Sequence, residues 1–140
     1  VKFSYSGSQT SATGTRKRPD RDDRTVTLSA NGQAYDMVSV FYMLRNLNYD
    51  TFATDKSVRT TIFSGKEKEN LTIQYNGIEN IKLRDGSKHR AHRVTFRFTQ
   101  DGGKKSSDNI SAWISTDDAH VPLMIVGRLP VGEIKCYYAK

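Results

Sequence analysis

The chain has 140 residues, enough for one domain with a buried core and too few for two independent ones. A mean hydropathy of −0.65 and the lack of an apolar run near the roughly 18 residues that span a bilayer exclude a transmembrane helix. One cysteine, Cys136, excludes an intramolecular disulfide and a multi-thiolate zinc site. The formal charge of +7 suits an anionic partner. Acidic residues are interleaved with the basic ones, however, as in RKRPDRDDR at 16–24, so nucleic-acid binding is not expected.

A short strand and a long polar segment open the chain. Val1, Phe3 and Tyr5 alternate with polar residues, which predicts a half-buried strand. Residues 6–24 are mostly polar and show no periodicity, so they cannot bury enough apolar surface to offset the entropy of ordering. We therefore expect a flexible polar loop at 6–24 and a short strand at 25–29. Because the chain begins at Val1 without a signal-like leader, we also expect a processed or truncated product.

One amphipathic helix is predicted within AYDMVSVFYMLRNLNY, residues 34–49. Its apolar residues recur at helical spacing and form one stripe: Met37, Val40, Phe41, Leu44 and Leu47. Asp36 precedes the stripe, where a carboxylate can cap the positive helix N-terminus. This helix should pack on a sheet.

Strands and tight turns are predicted after residue 50. ENLTIQY and IENIKL flank Asn76-Gly77, a dipeptide that favours a two-residue hairpin because both of its residues tolerate positive φ. RDGSKH indicates another turn, RAHRVTFRFT and NISAWIS alternate as strands, and VPLMIV is apolar on both faces. We predict a mainly β (α+β) domain spanning residues 1–140, an antiparallel β meander or half-barrel with one amphipathic helix packed on it.

The sequence offers weak candidates for chemistry. His89 and His92 have a His-x-x-His spacing, but on a strand an odd separation sends the two side chains to opposite faces, so no metal site is expected. Asp117-Asp118 could hold a cation weakly, whereas a tight turn explains the pair more simply. Cys136 lies in an alternating strand, which indicates a small buried hydrophobic residue. No nucleotide-binding, cofactor-binding or nucleophile motif occurs, so we expect no cofactor and no enzyme.

Trp113 raises the one open functional question. In NISAWIS it lies on the strand face opposite to Ile110, Ala112 and Ile114, and the preceding strand carries Arg93 and Arg97 on its polar face. If these two faces coincide, Trp113, Arg93 and Arg97 would form a stacking and anion-binding surface. The alternative is that Trp113 lies beneath the helix. The apolar VPLMIV segment favours this alternative, because it indicates a sheet covered on both sides.

The helix and the C-terminal segment carry a family resemblance. Tyr35, Asp36 and Met37, then Trp113, Asp117-Asp118, Pro122-Leu123 and Gly132, resemble the pattern of exported proteins of Bacteroides-like bacteria grouped as domain of unknown function 3108. The resemblance is closest from residue 36 onward. It implies a periplasmic or cell-envelope location, a largely antiparallel β architecture and a missing N-terminal portion. It brings no catalytic or binding residues.

From these features we expect a non-enzymatic envelope domain that binds a lipid or polysaccharide on a concave sheet face. The alternative is a structural or protein-interaction module that pairs through sheet edges, with the missing N-terminal portion or with another copy of the chain.

Overall fold

A computed structural model of the chain describes residues 2–64, 67–100, 110–129 and 132–139. It contains ten strands and two helices within these residues. In chain order they are β1 (Lys2–Ser6), β2 (Gln9–Arg18), β3 (Arg21–Asn31), β4 (Ala34–Asp36), α1 (Ser39–Arg45), α2 (Tyr49–Asp55), β5 (Ser57–Ser64), β6 (Glu67–Lys82), β7 (Lys88–Gln100), β8 (Ile110–Ser115), β9 (Pro122–Leu129) and β10 (Gly132–Tyr137). Neither helix is long or apolar enough to cross a membrane. The predicted mainly-β class is confirmed.

The strands form two open sheets. β1, β2 and β3 make a small antiparallel sheet, and the other seven strands follow the order β10-β9-β8-β7-β6-β5-β4. All neighbours in the large sheet are antiparallel except β4 and β5, which are parallel. Parallel strands need a crossover connection, and the two helices supply it between β4 and β5. The helices therefore lie on one face of the large sheet.

The main core lies between the helices and the large sheet. Val40 and Leu44 of α1, with Tyr49 and Phe52 of α2, are nearly inaccessible to solvent. They pack on sheet residues that share one face: Ile62, Leu71, Ile73, Val94, Phe96, Phe98, Ala112 and Ile114. Burying such side chains contributes about 1.5–3 kcal/mol each for the larger ones, so this layer supplies most of the apolar stabilisation.

The predicted loop at residues 6–24 is wrong, because most of this segment is a hairpin. β2 pairs with β3 from Gln9 to Arg18, around a turn at residues 19–20. The inward positions of β2 are Thr10, Ala12 and Gly14, which are too small to produce an apolar periodicity in the sequence. Thr10 and Ala12 are nevertheless buried, and cross-strand hydroxyl contacts add to the backbone pairing.

The predicted helix is shorter than residues 34–49 and has a second helix after it. Ala34–Asp36 is a strand, and the Asp36 carboxylate accepts the backbone N–H groups of Val38 (2.9 Å) and Ser39 (2.6 Å), as expected for an acid before a helix. The first helix ends at Arg45. The Asn48 side chain then accepts hydrogen bonds from two backbone N–H groups at the start of α2. Met37 therefore precedes the helix and is exposed rather than part of the buried stripe.

The predicted hairpin at Asn76-Gly77 is also wrong, because β6 runs straight through it. Both halves of β6 pair with the same neighbour, β7, and the register shifts between Tyr75 and Ile78. Tyr75 pairs with Val94 and Ile78 with His92, so two residues of β6 oppose one residue of β7. This is a β-bulge, in which Gly77 has a φ of +94°. The true turn of this hairpin is the predicted one at RDGSKH, where Gly86 N–H donates to the Leu83 carbonyl.

Cys136 is exposed, contrary to the expectation that it is buried. It lies in β10, the last strand of the large sheet, and every described residue of that strand is exposed. Alternation along a strand indicates burial only where something packs on the strand, and here no described element covers β10.

We predict that Gly77→Ala lowers the free energy of unfolding by about 1–2 kcal/mol, because a Cβ in the left-handed region is strained. No atom outside the neighbouring residues lies within 4 Å of the added methyl group, so steric overlap contributes nothing. Urea unfolding measures the change. Gly127→Ala in β9 is the matched control, because its Cβ would meet only Ile110 at 3.8 Å without a positive φ. An equal loss in both variants would contradict the strained bulge.

Candidate functional site

The bulge determines which side chains of β6 share a face. Before it, Leu71, Ile73 and Tyr75 point to the helices; after it, Glu79 and Ile81 point to the opposite face. Glu79 is four positions after Tyr75, and strict alternation without a bulge would place both side chains on the same face. We call the side opposite to the helices the open face. The small sheet covers one end of it, at Ala34 and Phe63.

Glu79, Arg93 and Trp113 form one cluster at the other end of the open face. Arg93 of β7 and Trp113 of β8 are direct cross-strand partners, and the Arg93 guanidinium carbon lies 5.6 Å from the centre of the Trp113 ring. Arg93 Nη1 donates to Glu79 Oε1 at 2.9 Å, and Trp113 Nε1 donates to Glu79 Oε2 at 3.0 Å. Glu79 pairs with Ala91, whose small side chain lies between the carboxylate and β8. Each carboxylate oxygen therefore has its own donor.

This cluster stabilises the Glu79 carboxylate in its charged form. The hydrogen bond from Trp113 is the largest influence lowering the Glu79 pKa, followed by the hydrogen bond from Arg93; partial burial opposes both. Trp113 also packs with Met124 against a small apolar cluster of Ile81, Leu83, Ala91 and Leu123. Both Glu79 oxygens and the Trp113 N–H are hydrogen-bonded within the cluster, whereas Arg93 Nε is buried without a hydrogen-bond partner among the described residues. A ligand that stacked on the Trp113 face that Arg93 covers would have to displace Arg93.

A polar array occupies the middle of the open face. Its members come from three neighbouring strands, and none of them is buried: Ser57, Arg59, Thr61, Asn70, Thr72, Gln74, Thr95, Arg97 and Thr99. Arg59 and Arg97 are both cross-strand partners of Thr72, so the three form one row across β5, β6 and β7. Neighbouring strands are about 4.8 Å apart, which puts the two arginine backbones about 10 Å from each other.

The row at Thr72 is the centre of two shallow hollows. A hollow of about 270 Å³ extends from Thr72 and Arg97 toward Gln74, and another of about 570 Å³ extends from them toward Asn70. The array contains hydroxyl, amide and guanidinium groups and no carboxylate. Within the described residues, no carboxylate forms an ion pair with Arg59 or Arg97. Such a surface can donate many hydrogen bonds to an anionic or hydroxyl-rich molecule.

The structure brings together two of the three predicted site residues. Arg93 and Trp113 meet on the open face, and Trp113 does not lie beneath the helices. Arg97 is four residues further along β7 and belongs to the polar array instead. Glu79 was missed because its face depends on the bulge. Arg59 was missed although KSVRTTIF alternates, and its position beside Thr72 requires the β5–β6 register.

Two of the three histidines, His92 and His120, form a second cluster of side chains, on the helix side of the sheet. His92 is buried, its ring stacks on Tyr49 at a centroid distance of 4.2 Å, and its Nδ1 is 2.8 Å from the Tyr75 hydroxyl in a hydrogen bond. His120 contacts the edge of the Tyr49 ring and donates through Nδ1 to the Arg45 carbonyl at 2.9 Å. This imidazole–tyrosine cluster attaches α1 and α2 to the sheet and to the loop between β8 and β9.

The other candidate residues have structural roles. His89 contacts the Ser87 hydroxyl on the face opposite to His92, as strand alternation predicted. The Asp117 carboxylate accepts the Ser115 hydroxyl (2.7 Å) and the Ala119 N–H (3.2 Å), which fits the predicted turn. Burial and the nearby His120 lower the pKa of His92, and burial raises the pKa of Tyr49 well above its ordinary value.

A comparison with models of protein families gives a match for this chain. The model of a protein family described as "Protein of unknown function (DUF3108)" matches residues 1–138. Neither the curated proteins nor the solved structures contain a match to this chain. The family match extends the resemblance found from residue 36 onward to nearly the whole chain, and its description names no activity, ligand or partner.

We predict that Glu79→Gln lowers the free energy of unfolding by about 0.5–1 kcal/mol at neutral pH, a small value because Glu79 and Arg93 are both more than a third exposed. The folded-state pKa of Glu79 is below its ordinary 4.5, so its stabilisation is complete above pH 4.5 and is lost as the pH falls through the folded pKa. Urea unfolding followed by Trp113 fluorescence at several pH values measures the difference between the two proteins.

The matched control for Glu79 is Glu67→Gln, at the exposed start of the same strand, where the glutamine can still accept the hydrogen bond from Gln100. It should leave stability unchanged. A difference between Glu79→Gln and the unmodified chain that stays constant down to pH 3 would contradict the charged role of Glu79.

We predict that His92 makes the fold less stable below pH 6.5. The unfolded chain takes up a proton at His92 near pH 6.5, whereas the folded chain resists it, so stability falls by at most about 1.4 kcal/mol per pH unit. His120, Asp50 and Arg90 also influence this titration. His92→Gln should show a smaller loss between pH 7 and 5.5 in urea unfolding. An unchanged pH dependence in that variant would contradict this role.

Proposed function

Because the chain belongs to the DUF3108 family, whose function is unknown, its own surface must indicate its role, and we propose a non-enzymatic cell-envelope domain that holds an anionic, hydroxyl-rich ligand on the open face. A segment of acidic polysaccharide is the ligand that this surface suits best. A cell-envelope location belongs to the proposal, since the family resemblance implies it and such polymers occur there.

The row of Arg59, Thr72 and Arg97 carries this proposal. A guanidinium group donates two parallel hydrogen bonds to a carboxylate or phosphate oxygen pair, and two such groups about 10 Å apart can hold two charged groups of one extended chain. The hydroxyl and amide side chains around them match the alternating donors and acceptors of sugar hydroxyl groups. The array has no histidine, cysteine or carboxylate, which supports binding rather than acid–base or nucleophilic catalysis.

The proposal differs from a site at Trp113. There Glu79 accepts from Arg93 Nη1 and from Trp113 Nε1, so a ligand that used these two donors would have to break two hydrogen bonds. At Arg59 and Arg97 no carboxylate of the described residues forms an ion pair with the guanidinium groups, so a ligand has no such contact to break. Trp113 and Arg93 then support the sheet beside the ligand instead of touching it.

We predict that the chain binds an oligogalacturonate and not a neutral glucan of equal length in isothermal titration calorimetry. Arg59→Gln and Arg97→Gln should each weaken binding about tenfold, since a hydrogen bond to a charged group contributes about 1.5–3 kcal/mol. Arg84→Gln, at the exposed β6–β7 turn, is the matched control for loss of one positive charge and should change binding little.

Vesicles of phosphatidylglycerol and of phosphatidylcholine distinguish a lipid headgroup from a polysaccharide. Preference for the oligogalacturonate supports the proposal as stated, and preference for phosphatidylglycerol would replace the polysaccharide by a lipid. Equal weakening by Arg84→Gln and Arg97→Gln, or equal binding of acidic and neutral sugars, would contradict the site.

A further inference from the structure

The outer edge of β10 leaves backbone hydrogen-bonding groups accessible to a partner. β10 is the last strand of the large sheet, and no described strand pairs with its outer side. All of its described residues are exposed, including Ile134 at 51 % and Tyr137 at 37 %. An uncovered edge strand with no proline is a template for pairing with another strand.

The hydrogen bonds of β10 identify which residues face outward. Tyr138 N–H donates to the Leu123 carbonyl at 2.9 Å, so the backbone groups of residue 138 point toward β9. Because these directions alternate along an antiparallel strand, Ile134 and Cys136 also point theirs toward β9. The N–H and C=O groups of Glu133, Lys135 and Tyr137 therefore face away from the sheet, toward any strand that adds there.

The charges of the edge indicate a second copy of the same strand. When two β10 strands pair antiparallel about a twofold axis, the residues that hydrogen-bond to each other must both face outward. Among the registers that meet this condition, the two with the longest overlap place the axis at Ile134 or at Lys135. Centring on Lys135 places two lysines opposite each other. Centring on Ile134 places Glu133 opposite the second copy's Lys135, and does so twice. The same register sets the two exposed Ile134 side chains against each other.

We propose that two copies of this chain associate through β10, antiparallel about a twofold axis at Ile134, so that one sheet continues into the other. Within one copy, Lys135 Nζ is 3.0 Å from Glu133 Oε1. In the pair, the two lysines and two glutamates form an alternating group of four charges across the joined edges. This association leaves the polar array free, since β10 is separated from β7 by β9 and β8.

Disulfide trapping tests the register. In a Cys136→Ser background, Ile134→Cys should form a covalent dimer on mild oxidation, because facing residues that are not hydrogen-bonded have Cα atoms about 4.5 Å apart, within disulfide range. Lys135→Cys in the same background is the matched control and should stay largely monomeric, because its partner is the second copy's Glu133. Dimers from native Cys136 or from Lys135→Cys that form as readily as from Ile134→Cys would overturn the register.

Charge reversal tests the association itself in sedimentation equilibrium. Glu133→Lys and Lys135→Glu should each raise the dimer dissociation constant about tenfold or more, because each turns two attractive cross-strand contacts into repulsive ones. The double variant, with both reversals, restores the opposite charges and should dimerise like the unmodified chain. A monomeric unmodified chain at all concentrations, or a double variant as weak as the single ones, would overturn the proposal.

Discussion

One extra residue in β6, at Asn76-Gly77, decides to which face of the large sheet the second half of that strand directs each side chain. A regular strand alternates strictly between its faces, so two residues four positions apart share a face, but across a bulge they lie on opposite faces. In β6 the bulge leaves Leu71, Ile73 and Tyr75 under the helices and sends Glu79 to the opposite side. The aliphatic core and the Glu79 cluster can therefore be built from the same strand.

The two faces have different energetic roles. The helix side holds the large buried side chains and the imidazole–tyrosine cluster, where His92 is stacked on Tyr49 and hydrogen-bonded to Tyr75. On the open face, Glu79 offsets the charge of Arg93 and orients Trp113, while Arg59 and Arg97 have no carboxylate partner among the described residues. Arginines of both kinds lie on one sheet, and among the described residues only Arg93 has its charge offset by a carboxylate.

The sequence predicted those parts of the fold in which alternation continues without interruption. Val94, Phe96 and Phe98 of β7 and Ala112 and Ile114 of β8 are buried on one face, as their period of two indicated. The face of the sheet on which Trp113 lies followed from the same period, although the apolar VPLMIV segment favoured the wrong alternative.

The parts that were predicted wrongly depend on information that no local pattern contains. The Asn76-Gly77 dipeptide predicted a hairpin turn, but positive φ suits a bulge as well as a turn, and the local sequence does not distinguish the two. The hairpin of β2 and β3 was missed because small residues fill its inward positions. Glu79 and Arg59 depend on pairing between distant segments, which no local pattern contains.

The position of the Trp113 indole tests the two-faced sheet most directly. In a nuclear Overhauser experiment on the unmodified chain, the indole N–H proton should show cross-peaks to the side-chain protons of Glu79 and to Met124. The indole should show none to Val40 or Leu44, which lie on the helix side. Cross-peaks from the indole to those two residues, without any to Glu79, would contradict the bulge and the open face that follows from it.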